Sequence, residues 1–128
     1  MGSKQILVID DDEIIRLVIQ LTLKTFASWE VLIASSGLEG ITIAQAEKPD
    51  AILLDMMMPD MDGFATIHQL HSQLKTQNIP IILVTAKTKM GETQKWKEIG
   101  VTGVITKPFE PSDLVPTMLT MLGWKEEA

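Results

Sequence analysis

Short runs with no polar side chain, each breaking on a polar residue, recur along this chain, and apolar residues at helical spacing fill the segments between them. Ile6 to Ile9, Val31 to Ala34, Ala51 to Leu54 and Ile81 to Val84 are too short for helices and rich in β-branched residues. They predict strands buried on both faces. Val104 and Ile105 predict a fifth, shorter strand. Between the first two runs, Ile14, Leu17, Val18 and Leu21 predict the apolar face of a helix, with Asp12 and Glu13 at its positive N-terminal end. Further helices are predicted over Leu38 to Ala46, from Phe64 through Ile67, Leu70 and His71 to Leu74, and from Met90 to Ile99 with Gly100 as terminator. A last helix is predicted from a Ser112 cap to near Gly123.

Strands buried on both faces and separated by helices describe a parallel sheet between helical layers, because parallel strands need crossover connections. The predicted fold is a doubly wound α/β domain over residues 4–124, without internal repeat or linker. A chain of 128 residues buries enough surface to need no metal or disulfide staple. With no cysteine, disulfides, thiolate zinc sites and cysteine nucleophiles are excluded. Eleven basic against seventeen acidic residues give a net charge of -6, which opposes direct nucleic-acid binding. No apolar run approaches the ~20 residues that cross a bilayer, and no signal peptide opens the chain, so membrane insertion is not expected and the location reads as cytoplasmic.

In doubly wound sheets, ligands bind beyond the carboxyl ends of the strands. The first strand ends in Asp10, Asp11 and Asp12, the third in Asp55, the fourth in Thr85, and the fifth runs into Lys107 and Pro108. Two carboxylates ~5 Å apart repel by ~3 kcal/mol at an effective dielectric near 20, so the crowding calls for a cation, a shared proton or greater separation, of which a hard divalent metal is the natural answer. Oxygen ligands without His or Cys suit Mg²⁺, with Mn²⁺ as the alternative, and magnesium in such sites commonly takes a phosphate oxygen as well. Asp55 at a strand tip is then a candidate nucleophile toward phosphorus. Lys107 is a candidate second clamp on the transferring group, and the Thr85 hydroxyl a candidate donor to a phosphoryl oxygen.

These residues carry a resemblance. Ile6-Leu7-Val8-Ile9-Asp10-Asp11, Asp55 with Pro59, Asp62 and Gly63, Thr85-Ala86 and Lys107-Pro108-Phe109 resemble, in order and over nearly the whole chain, the motifs of the response regulator receiver domains of two-component signalling. The resemblance implies a flavodoxin-like sheet of order 2-1-3-4-5 and a cis peptide between Lys107 and Pro108. It also implies Asp55 as phosphoacceptor, Asp11 as direct metal ligand, Asp10 as ligand through water and the Met57 backbone carbonyl as a further ligand. Asp12 lies just past the family's acidic pair and need not bind. The implied partners are a sensor histidine kinase or phosphotransfer protein upstream and an unnamed protein downstream. Because only Lys125 to Ala128 follow the last helix, the simplest expectation is a standalone receiver acting in trans, the alternative being the receiver unit of a larger protein. One departure is Val104, where the family often has an aromatic that reports phosphorylation; Met57 and Lys87 occupy its two variable positions.

Two other functions compete. Asp60-Met61-Asp62-Gly63 superficially matches the nucleophile motif of haloacid-dehalogenase-like phosphohydrolases, but it does not follow a buried strand directly. A phosphate-independent interaction domain would keep the fold and dispense with the acidic set. His68 and His71, three apart, lack a nearby carboxylate on their helix to complete a metal site. Trp29, Trp96 and Trp124 read as packing residues, Trp96 also as a candidate contact, and the methionines around Met57 as adaptable packing.

Overall fold

The computed structural model describes residues 4–56, 63–86 and 98–125. Five strands, β1 (Gln5–Ile9), β2 (Glu30–Ala34), β3 (Ala51–Asp55), β4 (Ile81–Ala86) and β5 (Gly103–Lys107), form one parallel sheet of order β2-β1-β3-β4-β5. Four helices are found among the described residues: α1 (Glu13–Ala27), α2 (Gly37–Glu47), α3 (Gly63–His71) and α4 (Pro111–Leu122). The sheet order is the one the resemblance implied, and the Lys107-Pro108 bond is cis.

Strand alternation divides the core in two. Ile6, Val8, Leu53, Ile82, Val84 and Ile105 pack on one face with Ile19 and Leu23 of α1 and Leu114 and Met118 of α4. Leu7, Ile9, Ile52, Leu54, Ile81 and Leu83 pack on the other with Ile41 of α2 and Ile67 and Leu70 of α3. The chain leaves β1 outward to β2 and returns past it to β3, so the winding reverses between β1 and β3. Asp10 and Asp55 stand at the carboxyl side of that reversal. At the opposite edge, Trp29 and Trp124 meet edge to face at 5.6 Å, with the Lys4 ammonium 4.6 Å from the Trp124 ring centre.

Four local expectations need correction. Val31 to Ala34, expected to be buried on both faces, lies in the edge strand β2, which leaves Ile33 41% exposed and Val31 and Leu32 half-buried. On α1, the chain buries Ile19, Thr22 and Leu23 and leaves Ile14 (71% exposed), Leu17 and Leu21 in water. The predicted stripe is therefore largely the outer face. The third helix ends at His71, because the buried Thr76 hydroxyl donates to the Leu70 carbonyl at 2.6 Å and turns the chain back; Leu74 is 87% exposed. The N-cap position of the last helix is Glu110, not Ser112, and its side chain makes no capping hydrogen bond; the helix starts there because Pro111 supplies the preset φ and missing N–H that suit a first helical position. Most of the helix predicted over Met90 to Ile99, including Trp96, lies outside the described residues, as does Lys87.

Candidate functional site

Asp10 follows β1 directly, Asp55 closes β3 and Lys107 closes β5. Asp10 continues the alternation of Ile6 and Val8, Asp55 that of Ala51 and Leu53, and Lys107 that of Ile105, so all three share the parity of the face covered by α1 and α4. Thr85 has the opposite parity, with Ile81 and Leu83, and lies one residue past Val84, the β4 partner of Asp55. It is buried, and it pairs with Thr106 while Ala86 pairs with Lys107.

β5 is three strand spacings from β1, roughly 14 Å at about 4.8 Å each. Lysine's long flexible stem nevertheless carries Lys107 Nζ to 3.1 Å from Asp10 Oδ2 and 3.6 Å from Asp55 Oδ1. Asp10 is only 2% exposed. Its Oδ1 accepts from the Asp12 N–H at 2.9 Å, its own N–H donates to the Ala34 carbonyl at 3.1 Å, and its carbonyl accepts from Arg16 Nη1 at 2.8 Å. Asp12 itself is the N-cap of α1, accepting from the N–H groups of Ile14 and Ile15 at 2.9 and 3.3 Å. Its carboxylate is thereby committed to the helix.

Asp10, Asp11 and Asp55 each offer a carboxylate oxygen, and the three oxygens lie within 4.8 Å of one another. Ligands of an octahedral Mg²⁺ sit about 2.1 Å from the ion, hence about 3.0 to 4.2 Å apart, so a small contraction or one bridging water fits this set to the ion. Three carboxylates and one ammonium leave a formal charge of minus two, which favours a cation. Among the described residues this is the only group of three or more His, Cys, Asp or Glu side chains that converges in this way; His68 and His71 belong to none. Met57 and the Asp60-to-Gly63 motif up to Asp62 lie outside the described residues. Arg16, which the sequence pattern does not mark, joins the site through its contact to the Asp10 backbone carbonyl.

Fold and acidic cluster together place the chain among flavodoxin-like α/β domains with converging carboxylates at the carboxyl edge of the sheet. The model of the response regulator receiver domain matches residues 6–118, and the chain belongs to that family, the receiver domains of two-component signal transduction. It is 32% identical to the chemotaxis protein CheY4 of Vibrio cholerae, with a TM-score of 0.88, covering 94% of this chain and 99% of that one. It is also 38% identical over 112 residues to the alkaline phosphatase synthesis transcriptional regulatory protein PhoP of Bacillus subtilis, covering 88% of this chain and 45% of that protein. A probable transcriptional regulator of Cyanophora paradoxa, ycf27, is 34% identical over 122 residues, 95% of this chain and 49% of that protein. The chain thus spans about half the length of these curated relatives. No helix among the described residues is long and apolar enough to cross a membrane.

Proposed function

We propose that this chain is a phosphorylation-switched receiver in which Asp55 accepts a phosphoryl group from a histidine kinase or phosphotransfer protein in a Mg²⁺-dependent reaction. The observation that carries the reading is the Lys107 ammonium set between Asp10 and Asp55, with Asp11 completing the acidic group. An Asp55 carboxylate oxygen attacks phosphorus, the new P–O bond forms as the donor's P–N bond breaks, and the freed imidazole recovers a proton from solvent. Bound Mg²⁺ supplies neutralisation of the charge on the phosphoryl oxygens. Asp11 and Asp55 directly and Asp10 through water would hold the ion, with the Met57 carbonyl as the further ligand that the family pattern implies. Lys107 shifts from pairing carboxylates to pairing a phosphoryl oxygen, and the Thr85 hydroxyl donates to another. The receiver unit runs over residues 4–124 and acts in the cytoplasm. It catalyses only its own phosphorylation and dephosphorylation, and its output is altered binding of a protein partner, without direct nucleic-acid contact. With Val104 in place of an aromatic, that output uses a route other than ring rotation at this position.

Incubation with acetyl phosphate and Mg²⁺, followed by intact mass, tests the reading. One added phosphoryl group is expected in the wild type and none in Asp55→Asn or in the presence of a chelator. An adduct that persists in Asp55→Asn, or that forms without metal, sinks it. Hydrolysis of a generic phosphate ester that Asp60→Asn abolishes and Asp55→Asn spares would instead identify a phosphohydrolase.

A further inference from the structure

Arg16 is the chain's only arginine, the other ten basic residues being lysine. It sits in the first turns of α1, at the helix end where acidic rather than basic side chains are favoured. From there its Nη1 reaches back to the Asp10 backbone carbonyl at 2.8 Å, in a partly buried setting. The other polar atoms of Asp10 are held by other elements: its N–H by β2 through Ala34, Oδ1 by the Asp12 N–H and Oδ2 by Lys107 of β5. The carbonyl that Arg16 holds belongs to the rigid peptide plane joining Asp10 to Asp11. Fixing its oxygen fixes the direction from which the backbone enters Asp11. Asp11 needs such a constraint: it is exposed, and among the described residues its carboxylate makes no hydrogen bond or ion pair, yet it contributes to the three-oxygen group.

We propose that Arg16 is a positioning residue for the divalent cation, locking the Asp10–Asp11 peptide so that both carboxylates are presented to the ion. The inference rests on the reading of the acidic group as a magnesium site. Arginine suits the task because its planar guanidinium stays charged, holds a fixed donor direction and tolerates partial burial. Positioning and charge have opposite signs here. A guanidinium held on the Asp10 carbonyl repels a cation bound by the neighbouring carboxylates, so its removal for electrostatic reasons alone tightens metal binding. If it orients the ligands, its removal weakens binding.

Mn²⁺ titration at constant ionic strength, read by electron paramagnetic resonance of the free ion, separates the two. The proteins are the wild type, Arg16→Met and Arg16→Lys, each first shown to be folded by circular dichroism. Positioning predicts roughly tenfold weaker Mn²⁺ binding in Arg16→Met, although a positive charge has been removed, by analogy with other residues that orient metal ligands. It predicts recovery to within roughly threefold of wild type in Arg16→Lys, which keeps a donor on a long stem. Unchanged or tighter binding in Arg16→Met, or equal losses in the two variants, overturns the proposal while leaving the metal site standing. Absence of Mn²⁺ binding in the wild type overturns the magnesium reading and the proposal with it.

Discussion

Lys107 brings a single positive charge to two carboxylates that are almost wholly withdrawn from water, and is itself 22% exposed. Removing one partner of a sealed ion pair costs about 3–5 kcal/mol, and partial exposure lowers that here to roughly 1–3 kcal/mol. Lys107→Met is therefore expected to unfold at lower urea concentration in chelator, and to recover part of the loss in Mg²⁺, since its acidic group carries a formal minus three. Equal urea midpoints for variant and wild type in chelator would refute this. Asp12 belongs to a different account. Asp12→Ala keeps the backbone N–H that serves Asp10 and loses the cap and one exposed charge, so it should cost about 1 kcal/mol of stability and weaken Mn²⁺ binding by no more than about fivefold. A loss of metal affinity well beyond that would make Asp12 a ligand. The sequence made Asp10, Asp11, Asp55 and Lys107 legible because chemistry-bearing residues stood where buried runs stopped. Arg16 was not legible as part of the site, because its contact runs through a backbone carbonyl, for which side-chain pattern carries no mark.

Helix α1 shows where periodicity fails at the scale of an element. Its apolar residues wrap most of the circumference, as Ile14, Leu17 and Leu21 form one stripe and Ile15, Ile19 and Leu23 another. A 3.6-residue period fits either stripe, and only the sheet beneath selects the second. Leu23→Ala should cost about 2–5 kcal/mol, the range for emptying a packed site, and Leu21→Ala no more than about 0.5 kcal/mol. Urea unfolding of the two variants checks the assignment, and the reverse ranking would restore the sequence's choice of face. On α2, a Cβ at Gly40 would collide with the Ile9 side chain, which is fully buried beneath it. The gain in helix propensity from Gly40→Ala is at most about 1 kcal/mol, while overpacking costs about 1–3 kcal/mol, so net destabilisation is expected in the same assay. The buried strands β1, β3 and β4 are legible because an uninterrupted apolar run leaves no choice of face, whereas the same kind of run in β2 does not reveal that it lies at the sheet edge with Ile33 in water. The last helix starts two residues earlier than Ser112 suggests, because Pro111 already occupies the first turn, while its end at Gly123 is as expected.

For the whole molecule, a cation bound only by the native state stabilises it by mass action. Free Mg²⁺ at a hundred times its dissociation constant should add about 2.7 kcal/mol to the unfolding free energy. Unfolding measured in Mg²⁺ and in chelator gives this difference directly, and it should vanish when Asp10 and Asp11 are both replaced by Asn. Layering and strand direction followed from the sequence pattern, but strand order did not, because crossover connections fit several orders; it came from the likeness of the motifs to a known family. The aromatic contact between Trp29 and Trp124 has a practical consequence for such measurements. Trp29 precedes β2 and Lys4 precedes β1, so the pair lies at the amino ends of the strands, roughly 16 Å of strand length from the acidic residues. Indole emission from these two rings is thus a gauge of global melting, nearly blind to whatever docks at the far rim.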